Sequence, residues 1–176
     1  MRVYITDLEA YNNGHLVGDW YELPMSEEEL STAIAEVLTN GQEVCKDVYV
    51  HEEYFITDYE CDYMKIDEYS SLSNLNEIAE KMSNLDQDQQ TAVKLLLEAN
   101  VVNDLDDAIE NIENIYCTGE TKMEDVAYNY IQETGALQNM PESLQYYFDY
   151  EKLGRDMEIE GSYYTDDENL IWEYVG

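Results

Sequence analysis

The sequence predicts an α+β protein, arranged as an elongated chain of three modules. Runs of β-prone residues lie near both ends, apolar residues recur at helical spacing in the middle, and residues 73–114 contain neither Gly nor Pro. The 44% of hydrophobic residues and the 17 Tyr exclude a disordered acidic tail. We place a small α/β module at residues 1–70, a helical module at 71–115 and a mixed α+β module at 116–176.

The first module is expected to begin with a β-hairpin. Residues 3–6 and 16–23 are two extended runs, and the sequence Asn12-Asn13-Gly14 between them is typical of a turn. Two further strands are expected over residues 48–52 and 54–59.

A helix is predicted to begin after Ser26 in the same module. Ser26 and Glu29 have the spacing of a capping box, in which each side chain bonds the backbone N–H of the other residue. Apolar residues recur at every third or fourth position from Leu30 to Leu38, which gives the helix one buried face. Gly41 is expected to end this helix.

The middle module is predicted to contain three helices. Their apolar stripes begin at Leu75, Ala92 and Leu105, and Asp86 and Asp104 are placed to cap the second and third helices. In the last module, a further helix is expected after a capping box that Thr121 and Glu124 would form, with Gly135 as its end.

The remainder of the last module is predicted to be a short helix followed by two strands. Pro141 is suited to a first helical turn, and Gly154 is expected to end that stretch. Strands are expected over residues 157–164 and 170–175, around a polar turn.

Acidic residues dominate the composition. The chain has 41 Asp plus Glu against 8 Lys plus Arg, which gives a formal net charge of −33. Repulsion at this density lowers stability, so we expect the charge to have a use. It equals the phosphate charge of roughly 56 Å of duplex DNA, or on the order of 17 base pairs. One interpretation is therefore imitation of DNA, and the other is solubility or tolerance of high salt.

Motifs for chemistry are missing from the sequence. It contains no phosphate-binding loop, no nucleophile elbow and no zinc motif with two histidines. His51 is expected to be a half-exposed strand residue, and the acidic segments 104–110 and 166–173 lack the central Gly of a calcium loop. We therefore expect no enzyme and no catalytic, cofactor-binding or metal-binding residue. We expect no direct nucleic-acid binding, because the basic residues are scattered and form no continuous basic stripe that could contact phosphates.

The cysteines and the hydropathy pattern predict a cytoplasmic protein. The chain has three cysteines, Cys45, Cys61 and Cys117, which cannot all form disulfides within one chain. None has C-x-x-C spacing, so reduced thiols are favoured. No signal-peptide pattern and no apolar run of about 18 residues is present, so we expect no membrane association.

Several carboxylates have the spacing of neighbours on a helix. Asp106 and Glu110 are four residues apart and Glu113 is three further on, a pattern that destabilises a helix by a few tenths of a kcal/mol per pair. Such neighbours have Cβ atoms ~5–6 Å apart, comparable to phosphates along a strand. The candidate mimic carboxylates of the whole chain are Glu27, Glu28, Glu52, Glu53, Asp58, Glu60, Asp62, Asp67, Glu68, Asp86, Asp88, Asp104, Asp106, Asp107, Glu110, Glu113, Glu124 and Asp125.

Two separated segments of the chain form recognisable motifs. The first is Val3-Tyr4-Ile5, then Tyr11-Asn12-x-Gly14-x-Leu16-Val17-Gly18-x-Trp20, closing at Leu23-Pro24. The second is Tyr130-Ile131-x-Glu133-Thr134-Gly135, then Pro141-Glu142-x-Leu144-Gln145-x-Tyr147-Phe148-Asp149-Tyr150, then Leu153-Gly154-Arg155-Asp156. Together they resemble the ArdA antirestriction proteins, and the second motif includes the stretch known in that family as the antirestriction motif. The resemblance covers about the first 25 residues and residues 126–160, whereas the middle is similar only in acidity and layout.

The resemblance implies a function and a partner. It implies a surface whose carboxylates imitate the phosphates of bent B-form DNA. The implied partner is a Type I restriction–modification enzyme, whose DNA-binding groove the protein would occupy to protect incoming mobile DNA. It also implies a homodimer that forms through the C-terminal module.

The sequence offers a candidate for the dimer interface. Leu144, Tyr147 and Phe148 form an apolar stripe with Tyr150 nearby, in a module too small to bury everything. The alternative is that these side chains pack within their own module. Two other functions stay open, namely a salt-adapted acidic protein of unknown activity and a carboxylate- or metal-dependent enzyme.

Overall fold

The computed structural model describes residues 1–176, which divide into two compact units, Met1–Gln90 and Thr91–Gly176. Each unit contains one three-stranded antiparallel sheet together with helices. The predicted α+β fold class is therefore confirmed, and the division into three modules stays a prediction. None of the helices combines the length and the apolar composition needed to cross a bilayer.

The first unit is built on a sheet whose central strand is the first strand of the chain. Its strands are β1 (Arg2–Asp7), β2 (Gly18–Glu22) and β3 (Tyr54–Glu60), in the order β2-β1-β3, and its helices are α1 (Leu8–Asn12), α2 (Glu27–Cys45) and α3 (Leu72–Ser83). Helix α4 (Gln87–Glu98) crosses the boundary between the units.

The predicted hairpin of β1 and β2 is present, with Val3 opposite Tyr21. The short helix α1 occupies most of the connection in which the sequence indicated only a turn. The core beneath the sheet includes Val3 and Ile5 of β1, which pack in one cluster with Val37 of α2 and Leu72 of α3.

Helix α2 confirms the capping box at its start and differs from the prediction at its end. The Ser26 backbone N–H donates to Glu29 Oε2 at 2.9 Å, and the Glu29 N–H donates to Ser26 Oγ at 3.3 Å. The helix continues through Gly41 to Cys45, where Lys46 adopts the left-handed conformation that closes it. Gly41 is instead a site of close approach, because a Cβ there would lie 2.2 Å from Asp7 Oδ2.

The strand predicted over residues 48–52 is wrong. This segment is an irregular loop that pairs with no strand, and it exposes Val48, Tyr49 and Val50 while burying His51. The β-prone residues Val48, Tyr49 and Val50 indicated a strand, but hydrogen bonds from the His51 ring to Asp7 and Asp47 fix the segment in another conformation.

The second unit contains the sheet β4-β6-β5 and the remaining helices. Its elements are α5 (Leu105–Glu110), a 3₁₀ turn (Ile112–Asn114), β4 (Ile115–Cys117), α6 (Met123–Thr134), α7 (Glu142–Gln145), α8 (Tyr150–Glu160), β5 (Tyr163–Thr165) and β6 (Ile171–Tyr174). Buried residues in this unit include Val126, Ala127 and Ile131 of α6 and Ile171 and Trp172 of β6.

Two of the predicted caps are confirmed. Asp86 and Gln89 exchange backbone-to-side-chain hydrogen bonds of 3.0 and 2.9 Å at the start of α4. Asp104 Oδ1 accepts a bond of 2.9 Å from the Asp107 N–H at the start of α5. Helix α5 ends at Glu110, so the predicted continuous helix is shorter, and Glu113 lies on the following 3₁₀ turn.

The predicted capping box of Thr121 and Glu124 is wrong. Helix α6 follows Lys122, which makes no side-chain cap, although Gly135 ends the helix in the left-handed conformation as expected. The reason lies in the sheet: the Thr118 N–H donates to the Ile171 carbonyl, and the Ile171 N–H donates to the Glu120 carbonyl. These bonds tie residues 118–120 to β6, and the helix begins only after Lys122, so Thr121 lies one residue before the capping position.

Gly154 does not end a helix, and the strand predicted over residues 157–164 is wrong for most of its length. Helix α8 runs through Gly154 to Glu160, and only Tyr163–Thr165 is extended. Gly154 is buried at the contact with α6, where a Cβ would lie 2.4 Å from the Met123 carbonyl oxygen. Close approach of the two helices, and not helix termination, therefore requires glycine here.

We expect Gly154→Ala to destabilise the second unit by about 1–3 kcal/mol, the usual cost of forcing an extra carbon into a packed contact. Alanine is intrinsically the better helix former by ~1 kcal/mol, so helix propensity alone would make this variant more stable. A lower free energy of unfolding therefore reports the packing contact. The matched control is Glu158→Ala, an exposed position on the same helix, which should change stability by less than about 0.5 kcal/mol. Urea unfolding of both variants measures the difference, and a Gly154→Ala protein more stable than the wild type would contradict this packing argument.

Candidate functional site

The candidate mimic carboxylates lie on the surface. All of them are exposed except Asp107, which is half-buried. The 8 Lys plus Arg are too few to neutralise 41 Asp plus Glu, and the pairs that do form include Arg2 with Glu60 at 2.9 Å and Lys94 with Asp167. The surface therefore presents a large excess of uncompensated negative charge to solvent.

The carboxylates of α2 have a structural explanation of their own. Glu27 and Glu28 occupy the first turn, where the positive end of the helix dipole stabilises negative charge. Glu29 accepts hydrogen bonds from the side chain and the backbone of Ser26, which lower its pKa and keep it ionised. Glu28 and Glu36 also line a shallow open depression along this helix.

The carboxylates of β3 lie at the edge of the first sheet. The strand order β2-β1-β3 leaves β3 with one unpaired side, and its exposed residues include Asp58 and Glu60. Charged side chains on an edge strand hinder pairing with another sheet. Glu52 and Glu53 precede this strand, and Asp62, Asp67 and Glu68 follow it.

The carboxylates of α5 are crowded on a short helix. Asp104 caps the helix, Asp106 and Asp107 lie in its first turn, where the helix dipole stabilises negative charge, and Glu110 lies one turn after Asp106 on the same face. The repulsion between Asp106 and Glu110 opposes helix formation, and the helix is only six residues long. The dipole accounts for the first-turn charges but not for Glu110 beside Asp106.

The residues predicted at the dimer interface fall into two groups. Leu144 and Tyr147 are exposed by 54% and 79%, whereas Phe148 and Tyr150 are half-buried and pack edge-to-face with centroids 4.9 Å apart. Tyr146 is exposed by 87%, and its ring contacts that of Tyr147. Tyr146 could not be predicted from the sequence because it lies outside the helical spacing of the apolar stripe.

A buried polar cluster was also missed. Asp7 and His51 are exposed by 0% and 1%, and His51 Nδ1 lies 2.7 Å from Asp7 Oδ2. His51 Nε2 lies 3.0 Å from Asp47 Oδ2. The expectation of a half-exposed strand histidine is wrong, because the sequence contains no signal that Asp7, 44 residues earlier, meets this ring.

The surroundings of His51 stabilise its charged form. Burial by itself lowers the pKa of the imidazole, but the hydrogen bonds to Asp47 and Asp7 and the charges of Asp7 and Glu9 outweigh it and raise the pKa. Asp7 has a second role, because its Oδ1 accepts a 2.6 Å bond from the Ala10 N–H at the start of α1. The pair thus links the end of β1 to the loop that precedes β3.

A second polar group lies in the sheet of the second unit. Glu173 on β6 accepts hydrogen bonds from the hydroxyls of Tyr116 on β4 and Tyr163 on β5, both directly opposite it in the ladder. The bond to Glu173 raises the pKa of Tyr116 to about 12, so the phenol stays protonated and donates. This arrangement is a cross-strand contact of the kind that stabilises sheets.

The comparison with known families agrees with the acidic surface. The chain matches the model of the family described as Antirestriction protein (ArdA) over residues 3–171. The match defines the class as antirestriction proteins. The chain belongs to the ArdA family, and this membership implies an interaction with restriction–modification enzymes. A comparison with curated proteins gave no match.

The family match extends beyond the two sequence motifs. The motifs cover the first 25 residues and residues 126–160, whereas the match also includes the helical stretch between them. Helices α3 to α5 therefore lie within the region that the family shares.

Proposed function

We propose that the chain is a DNA-mimic inhibitor that occupies the DNA-binding groove of a Type I restriction–modification enzyme and protects incoming mobile DNA without catalysing a reaction. The observation that carries this proposal is the net charge of −33, held by exposed carboxylates. Membership of the ArdA family supports it.

The physical basis of the inhibition is electrostatic competition. A groove that binds DNA holds basic side chains that contact phosphates and release counterions on binding. Carboxylates at comparable spacing can make the same contacts, and the field of the whole protein steers them to the groove. The chain itself lacks the basic surface needed to bind DNA, so it competes with DNA and does not bind it.

The binding energy is distributed over many weak contacts. A single exposed ion pair contributes ~1 kcal/mol or less, so high affinity needs many of them. The carboxylates of α5 are good candidates because Asp106 and Glu110 are held by a helix whose start is fixed by Asp104. A fixed helix loses less conformational entropy on binding than a flexible acidic tail.

The protein is also proposed to form a homodimer through its C-terminal region. Support comes from the exposure of Leu144, Tyr146 and Tyr147, since large apolar side chains exposed together on one surface mark interaction sites. A dimer doubles the length of charge available to fill a DNA groove. The three free cysteines agree with a cytoplasmic protein, where such an inhibitor would meet its target.

A salt-adapted protein and a carboxylate-dependent enzyme are the competing functions. A folding measurement at low ionic strength distinguishes the salt-adapted protein, which unfolds there, from the inhibitor, which stays folded. Single substitutions distinguish the enzyme from the inhibitor, because one change in an active site abolishes activity.

We expect the protein to compete with DNA for a purified Type I enzyme, with an affinity that falls steeply as salt is added. The cause is exchange of ions in the groove on binding. Titration of labelled DNA on the enzyme at several salt concentrations measures both effects. A ternary complex of enzyme, DNA and this protein, with DNA affinity unchanged, would refute the mimicry mechanism.

We expect neutralisation of the α5 region to weaken binding only when several charges are removed together. Asp106→Asn, Asp107→Asn, Glu110→Gln and Glu113→Gln should each leave inhibition nearly intact, since an exposed ion pair is worth ~1 kcal/mol or less. The fourfold variant should bind more weakly, mainly through slower association, while the helix keeps or gains stability.

A matched control removes four charges from another helix. The exposed acidic residues of α8 lie outside the candidate set and allow the same change in net charge: Glu151, Asp156, Glu158 and Glu160. Association kinetics of both fourfold variants separate a local contact from the total charge. Equal losses would contradict the assignment to α5, and complete loss from one substitution in a folded dimer would contradict distributed mimicry.

We expect Tyr147→Asp and Leu144→Asp to convert the dimer into a folded monomer, because each inserts a charge into an apolar contact. Val48→Asp is the control, since Val48 is fully exposed in the first unit. Sedimentation velocity gives the assembly state, and circular dichroism verifies the fold. Folded variants of the same size as the wild type would remove these residues from the interface.

A further inference from the structure

The polar cluster around His51 has the composition of a metal site. Cys45, Asp47 and His51 place one potential ligand atom each within 4.8 Å of one another. Glu9 joins them, since its Oε2 lies 3.3 Å from His51 Nε2. The group therefore offers one nitrogen, one sulfur and two carboxylate oxygens, all within the first unit.

The spacing around the imidazole fits a tetrahedral ion. Ligand bonds of ~2.0–2.2 Å at a tetrahedral zinc ion place nitrogen and oxygen ligands about 3.3 Å apart. Asp47 Oδ2 and Glu9 Oε2 lie 3.0 and 3.3 Å from His51 Nε2. The Cys45 Sγ lies within 4.8 Å of the Asp47 and His51 ligand atoms, a separation that a rotation of its side chain can shorten to that of bound ligands.

Asp7 provides the outer support that metal-binding histidines use. A histidine that binds metal through one nitrogen generally donates from the other to a carboxylate or carbonyl, which fixes the ring. His51 Nδ1 has this partner in Asp7 Oδ2 at 2.7 Å, and both side chains are fully buried. The ring is therefore held with Nε2 directed at the two remaining carboxylates.

One oxygen of the cluster accepts no hydrogen bond. Glu9 Oε2 is a buried atom whose charged neighbour, His51 Nε2 at 3.3 Å, is already hydrogen-bonded to Asp47. Such an orphaned acceptor is costly and calls for an explanation. Three carboxylates moreover surround a single imidazole, namely those of Asp7, Glu9 and Asp47. A cation between Nε2 and the oxygens would satisfy the orphan and offset the excess charge.

We propose that this cluster binds one Zn²⁺ ion. The ligands are Glu9 Oε2, Cys45 Sγ, Asp47 Oδ2 and His51 Nε2. Zinc is favoured because it accepts sulfur, imidazole and carboxylate ligands in tetrahedral geometry, whereas calcium and magnesium require oxygen ligands only. With all four positions filled by protein, the site is structural and leaves no place for a reacting water.

The ion would tie together segments that are distant in sequence. Glu9 lies on α1, Cys45 is the last residue of α2, and His51 lies in the loop before β3. That loop carries no strand pairing of its own. Zinc would therefore fix the position of the loop and the start of the acidic edge strand.

The test uses the full chain, reduced and freed of metal by a chelator. Excess Mg²⁺ occupies the general acidic surface, and Co²⁺ replaces Zn²⁺ as a spectroscopic probe. We expect one equivalent of Co²⁺ to produce tetrahedral visible bands and a thiolate charge-transfer band, and Zn²⁺ to displace it. Absence of a stoichiometric site, or a cobalt spectrum without the thiolate band, would overturn the proposal.

Two pairs of variants localise the site. Cys45→Ser should abolish the charge-transfer band and weaken Zn²⁺ binding at least about tenfold, whereas Cys117→Ser, at an exposed free cysteine, should not. His51→Gln should weaken binding similarly, whereas His15→Gln, at an exposed histidine, should not. Should His51→Gln unfold, Cys45→Ser decides, because the Cys45 thiol accepts a single long hydrogen bond of 4.0 Å, from Asn13 Nδ2, which a serine hydroxyl can also accept. Wild-type spectra and affinity in Cys45→Ser would refute the assignment.

Discussion

Mutual repulsion among surface carboxylates is the constraint on which this structure depends. A net charge of −33 on 176 residues favours expansion, and few basic side chains offset it. Stability must come from apolar burial within each unit and from local bonds that make use of negative charge. Helix starts do this directly, because a carboxylate or hydroxyl there accepts N–H groups that otherwise lack partners. Such caps include Ser26, Asp86, Asp104 and Asp149.

Asp7 shows what a carboxylate needs in order to be buried. An isolated charge in the interior is very costly, so it must be paired and hydrogen-bonded. Asp7 accepts from the Ala10 backbone and from the His51 ring, and Gly41 on α2 leaves the space in which its side chain fits. One aspartate thus joins a strand, two helices and a loop. The proposed zinc ion would extend the same compensation to Glu9 and Asp47.

In the proposed mimicry, the exposed charge and the rigidity of the scaffold act together. A DNA-binding groove would bind an array of negative charges tightly only if the array kept its spacing, because each contact is weak and flexible charges lose entropy on binding. The elements that carry the candidate carboxylates are fixed by caps at α2 and α5 and by strand pairing at β3. Membership of the ArdA family gives this acidic body its antirestriction role.

The local rules of the sequence determined much of this protein. The fold class, the hairpin of β1 and β2, the caps at Ser26 and Asp104 and the stop at Gly135 all depend on residues close together in the chain. The same is true of the net charge and of the family motifs. These features follow from the sequence because propensity, capping and composition act over a few residues.

Tertiary structure alone decided the rest. Gly41 and Gly154 look like helix ends in sequence, yet each lies inside a helix where another segment approaches too closely for a Cβ. The segment before His51 has a strand pattern but no strand to pair with, and a buried bond to Asp7 fixes it instead. In each case the deciding partner is a residue distant in the chain, and a local pattern carries no information about what the fold brings beside it.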